Sequence, residues 1–126
     1  MLKGLVTTNL LASGAHFLHN AVFLEAYPGP AWIPGAWFVV AAWFVVAAAL
    51  LQGYVWHRAG RSRKALVAIS LFCLSCILVF GHYLYGSPRD FDVLTNLLIV
   101  VEGIAGITLL IYFVGWARRD IEGTAV

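Results

Sequence analysis

The sequence predicts an all-α integral membrane protein, a four-helix up-down-up-down bundle with its N and C termini on the cytoplasmic side. Composition is the first observation behind this: of 126 residues, 62% are hydrophobic and only 11% charged, against about 25% charged in soluble domains, and the mean hydropathy is +0.88. Second, four apolar segments of spanning length follow one another, at about 5–24, 36–56, 65–85 and 93–116, each near the ~20 residues that cross ~30 Å of hydrocarbon. Third, Lys3, Arg58, Arg61, Arg63, Lys64, Arg118 and Arg119 fall on one side of these segments and only Arg89 on the other. The positive-inside rule then places both termini and the 57–64 loop in the cytoplasm. The segments lack the period-two alternation of barrel strands, and lipid demands internally satisfied backbones, so they are read as helices. Residues 1–126 form a single transmembrane domain, expected in a plasma or inner membrane as a multi-pass protein.

The first segment carries Asn9, Ser13, His16 and Asn20 at steps of four, three and four, with His19 alongside. That spacing draws one polar stripe along an apolar helix, a face that lipid would penalise and that should turn into the bundle or toward a partner subunit. These interruptions, and the lack of an A-x-A-like cleavage site, argue for a retained span rather than a signal peptide. Beyond it, "EAYPGPAWIPG" holds Pro28, Pro30 and Pro34 with Gly29 and Gly35, which predicts a stiff non-helical cap over the outer end.

The second segment, "AWFVVAAWFVVAAALLQGYVW", carries no charge and is rich in alanine, so it is read as scaffold suited to close packing. Trp32, Trp37, Tyr27, Tyr83 and Tyr85 near the outer boundary, and Tyr54, Trp56 and Trp116 near the inner one, make an aromatic belt. The third segment contains "CLSC", Cys73 to Cys76. Amid leucines in mid-membrane this pair has no thiolate-stabilising surroundings and is read as small packing residues. "GSPRDFD" then forms a short outer turn, with Pro88 ending helix 3 and Asp90 or Asp92 capping helix 4.

Function-bearing groups concentrate in the outer half. With a rise of 1.5 Å per residue, His16 lies roughly 12 Å and His19 roughly 8 Å below the outer boundary, and Glu102 lies on the order of 13 Å deep. His82 sits about one turn from the end of helix 3, with Ser75 deeper on the same face, and Asn96 near the start of helix 4. An intramembrane carboxylate costs a few kcal/mol unless protonated, paired or hydrated, so Glu102 is the most informative single residue. Gly103 and Gly106 beside it would let a helix or a ligand come close.

Three functions compete for this constellation. In the first, His16, His82 and Glu102 are catalytic, His19, Asn20, Glu25, Tyr27 and Asn96 bind ligand, and the site performs acid–base chemistry of an isomerase, hydratase or cyclase kind on a lipophilic or small polar ligand. In the second, His16, His19 and His82 hold a metal or a haem. In the third, the chain is a homo-oligomeric transporter or an accessory subunit of a larger membrane complex. Beyond the lipid bilayer and such a ligand or complex no partner is indicated, and no nucleotide loop or nucleic-acid patch occurs. In size, in the histidines of its first helix and in "GHYLYG" closing the third, the chain resembles the four-helix module of sterol isomerases. Helix 2 lacks the acidic residue which that family places there, so no residue role is carried over, and the resemblance implies only a lean toward the acid–base reading.

Overall fold

The computed structural model describes residues 1–27, 29 and 31–123. Four α-helices carry the chain: α1 (Leu2–Val22), α2 (Ala36–Arg58), α3 (Ser62–Leu78) and α4 (Val93–Gly123). Short 3-10 segments follow α1 at Leu24–Ala26, extend α3 over Val79–Leu84, and precede α4 at Pro88–Asp90. Among the described residues there is no strand. Pro28 and Pro30, two of the prolines behind the expected outer cap, lie outside the described residues.

Among the described residues three helical stretches are long and apolar enough to cross a membrane: Ala36–Arg58, Ser62–Leu84 and Val93–Asp120. The expectation from sequence was four such spans. Helix α1 falls short because Asn9, Ser13, His16, His19 and Asn20 dilute its hydropathy. The outward surface is nevertheless oily on every helix, with Leu11, Leu18, Phe44, Leu71, Leu78, Ile104 and Ile111 among the exposed side chains. So much exposed apolar area would drive aggregation in water and is the surface of a membrane protein.

The helices pack as a ring, α1 against α2 and α4, α3 against α2 and α4. A larger apolar cluster gathers Leu2, Val6, Leu50, Ala65, Ile69, Phe72, Leu109 and Phe113. A smaller one joins Tyr27, Val79 and Ile99. Between the two along α1 and α4 lie Asn9, Ser13, His16 and Glu102, all buried. The polar stripe of α1 therefore faces inward, as its spacing predicted.

Helix ends differ from the sequence reading in ways the local chemistry explains. Helix 3 was expected as one helix to residue 85, but its last turns tighten to 3-10 geometry from Val79. Helix 4 continues past residue 116 to Gly123, and near that end the Ser62 hydroxyl donates to the Asp120 carboxylate, tying the α2–α3 turn to α4. Asp92 caps α4, accepting from the Thr95 backbone N–H at 2.9 Å and from its hydroxyl at 2.7 Å, while Asp90 accepts from Ser87 N–H at 2.8 Å in a capping box. The close approach near Glu102 is made by a helix. A Cβ on Gly106 would fall 2.5 Å from the Cys76 Cβ, and one on Gly103 would enter the Phe80 ring, so glycine is what allows α3 to seat against α4.

Candidate functional site

His16 and Glu102 meet at the centre. His16 Nδ1 and Glu102 Oε2 are 2.5 Å apart, and the two residues are 2% and 1% exposed. Neither is placed by its neighbours in sequence. Helix α1 presents His16 on the same inward face as Asn9 and Ser13, while α4 presents Glu102 between Ile99 and Leu109.

Tyr27 closes the end of the cluster next to the α1–α2 loop. The chain leaves α1, makes its 3-10 turn, and returns the Tyr27 ring into the bundle at 4% exposure. Its centroid lies 5.2 Å from His16, 5.1 Å from His82 and 5.6 Å from His19, and its hydroxyl is hydrogen-bonded to His19 Nδ1 at 2.8 Å. Burial is the main force pushing the Tyr27 phenol up to about 12, with the Asp92 and Glu102 carboxylates adding to it against a hydrogen bond from Thr95. The His82 ring stands edge-on to His16, 5.6 Å away at 84°, and Asn20 Nδ2–H donates to His82 Nε2 at 3.3 Å.

Not every residue singled out from sequence joins this cluster. Glu25 is exposed. Asn96 is a clamp on the turn before α4: its amide donates to the carbonyls of Pro88, Phe91 and Asp92 at 2.9, 3.2 and 3.2 Å, and its Oδ1 accepts from the Tyr83 hydroxyl at 2.8 Å. Thr95, which adjoins Tyr27 and caps with Asp92, and Cys76, which neighbours Glu102, were not read as site residues. The position of Cys76 one turn above Cys73, opposite the glycines of helix 4, was the signal that could have placed it there. No group of three or more His, Cys, Asp or Glu side chains suited to hold a metal occurs among the described residues.

A cleft of about 390 Å³ opens beside His16 between α1, α2 and the end of α3. Its polar lining is His16, Asn20, Ser75 and His82, and the rest is apolar, including Phe17, Phe38 and Val79. That size and that balance of apolar wall and few polar groups suit a small-molecule site.

Two polar atoms of the central pair lack a protein partner among the described residues, His16 Nε2 and Glu102 Oε1. Two proton arrangements leave the pair without net charge. In one, an imidazolium faces a carboxylate; in the other, the Glu102 O–H donates to a neutral His16 at Nδ1. Both place a hydrogen on Nε2. The third arrangement, a neutral imidazole donating to a carboxylate, frees Nε2 as an acceptor but buries a net charge, at about 2.5–3.5 kcal/mol or more on insertion scales. A buried N–H without an acceptor costs about 1–3 kcal/mol, so every arrangement leaves an unmet demand at the pair. Such a pair can pass a proton outward from Nε2 while Glu102 compensates at Nδ1.

Comparison of the chain with protein-family models, with curated proteins and with solved structures finds no match in any of the three.

Proposed function

We propose that this is a small multi-pass membrane protein whose buried His16–Glu102 pair performs acid–base chemistry, of the isomerase or cyclase kind, on a lipophilic or small polar ligand held in the adjoining cleft. One observation carries the reading. A buried, hydrogen-bonded His–Glu pair in an oily molecule leaves His16 Nε2 and Glu102 Oε1 without a partner among the described residues, and His16 itself lines a cleft suited to a small ligand. Purely structural pairs normally satisfy their remaining polar atoms.

In this reading all four helices cross a plasma or inner membrane, up-down-up-down, within a single domain of residues 1–126. Two facing pairs in opposite chain order, Cys76 with Gly106 and Phe80 with Gly103, support antiparallel neighbours at α3 and α4. The Ser62–Asp120 bond and the cluster joining Leu2, Ala65 and Phe113 bring the basic ends of the chain together, which supports both termini and the 59–61 turn on the cytoplasmic side. Helix α1 crosses with its polar face turned inward and Leu11, Leu18 and Val22 outward. The site then opens in the outer half.

The test is conversion of lipid. Purified protein is incubated with a total lipid extract of its own membrane, and species lost and formed are followed by mass spectrometry. The wild type is expected to convert at least one species, and Glu102→Gln, nearly isosteric, to slow that conversion about 100-fold or more. No conversion, or an unchanged rate in Glu102→Gln, overturns the proposal.

A further inference from the structure

We propose that the basic end of the bundle is a binding surface for the phosphate headgroups of anionic membrane lipids, built from the α2–α3 turn and the C-terminal end of α4. Arg58, Arg61, Arg63 and Lys64 stand on and beside the turn, Arg118 and Arg119 stand near the end of α4, and all six are exposed. The surface is separate from the cleft. That cleft meets α2 at Phe38 and Ala42, whereas the basic turn follows the other end of the same helix.

The fold brings the two cationic elements together. Ser62, between Arg61 and Arg63, donates its hydroxyl to the carboxylate of Asp120, the residue after Arg119, across 58 positions of sequence. One layer further in, Ala65 of α3 shares an apolar cluster with Phe113 of α4 and with Leu2, the neighbour of Lys3. The His57 ring of α2 meets the Trp116 ring of α4 edge-on at 4.3 Å. The turn is itself well tied. Arg61 N–H donates to the Trp56 carbonyl at 2.8 Å and Gly60 N–H to that of His57 at 3.1 Å, with Gly60 at φ +69°, a conformation glycine adopts without strain.

The chain does not neutralise these cations. Among the described residues none of them is ion-paired to a carboxylate. Helix α3 has no acid in its first turn and carries Arg63 and Lys64 there, the charge opposite to the one a helix start favours. Like charges gathered in this way repel one another, so an anion from outside relieves the arrangement. Position identifies that anion. Trp56 and Trp116, both half-buried, precede Arg58 and Arg118 by two residues, and such rings lie at headgroup level. The cations then stand where lipid phosphate is the resident anion. The opposite end of the bundle has the reverse balance, Glu25, Asp90 and Asp92 with Arg89 alone.

The test measures lipid binding by the full chain in detergent, with phosphatidylglycerol, phosphatidylcholine of the same acyl chains, and inorganic phosphate as probes. Bound lipid is counted by native mass spectrometry over a concentration series. Phosphatidylglycerol is expected to bind about 100-fold more tightly than phosphatidylcholine, and added salt to shrink that advantage. Replacing three cations together, Arg61→Gln, Arg63→Gln and Arg119→Gln, should weaken phosphatidylglycerol by about 100-fold, near fivefold for each. The matched lysine variant, Arg61→Lys, Arg63→Lys and Arg119→Lys, should keep the preference, and Arg89→Gln at the other end should leave it unchanged. Equal binding of the two lipids overturns the proposal, as does a preference that survives the triple glutamine variant or is lost equally in Arg89→Gln. Displacement of phosphatidylglycerol by inorganic phosphate at equal concentration also overturns it, because the ligand would then be a free anion.

Discussion

His16 and Glu102 are 86 residues apart in sequence, yet His16 Nδ1 and Glu102 Oε2 lie 2.5 Å apart in the buried layer between two apolar clusters. The pair ties α1 to α4, so its energetics reach beyond the site. Removing one partner strands the other, whereas removing both leaves an apolar contact.

Glu102→Leu is therefore expected to destabilise the protein by about 3–5 kcal/mol, and the double replacement His16→Phe with Glu102→Leu to recover most of that loss. Thermal unfolding in detergent, followed by far-UV circular dichroism, measures both. A double variant no more stable than the single one would show that the pair's value lies elsewhere.

Small residues between α3 and α4 give a second expectation. A methyl at Gly106 meets Cys76 and one at Gly103 meets Phe80, whereas Gly115 has nothing within 4 Å of its would-be Cβ. Gly106→Ala and Gly103→Ala should each destabilise by about 1–3 kcal/mol through overpacking. Gly115→Ala should stabilise by about 0.4–1 kcal/mol through helix propensity. The same unfolding assay separates them.

Tyr27 should titrate late. Its phenol is pushed from the usual 10 up to about 12, chiefly by burial, so the folded state holds the proton more tightly than the unfolded chain. That stability is full below about pH 10 and is lost as pH rises toward about 12. Tyrosinate absorbance should show late-titrating tyrosine, and Tyr27→Phe should remove one residue's share of it, the Tyr83 phenol remaining.

The cap of α4 has the opposite dependence. Hydrogen bonds from the Thr95 hydroxyl and backbone N–H hold the Asp92 carboxyl below the usual carboxylate range. The folded form is favoured by ionised Asp92 above that range, and the contribution fades as pH falls through the lowered value. Amide exchange at Thr95 and Asn96 should quicken in acid in the wild type and be fast at every pH in Asp92→Ala. Unchanged acid protection at Thr95 would remove Asp92 from the cap.

Much of the architecture was legible because membrane helices advertise themselves. Hydropathy marks α2, α3 and α4 directly, and the four-three-four spacing from Asn9 to Asn20 told which face of α1 would be buried. The 3-10 stretch over Val79–Leu84 was not legible, since the run stays apolar while the hydrogen-bond pattern tightens. Asn96 looked like a site residue because an amide is conspicuous near a membrane boundary. Its three carbonyl acceptors lie on the turn just before it and became visible only once that turn was folded.

By itself the sequence determined the all-helical class, the oily exterior, and which groups of α1 and α4 could not be left facing lipid, because solvation energy depends on residue type and helical period alone. Tertiary structure decided which of those groups meet. Helix azimuth, the seating of α3 on Gly103 and Gly106, and the return of Tyr27 among three histidines depend on the joint packing of elements far apart in the chain. A hydrogen bond forms only when distance and direction both agree, within a few tenths of an ångström, and no spacing along one strand of sequence specifies that. His16 and Glu102 were each conspicuous when read alone; their contact belongs to the fold.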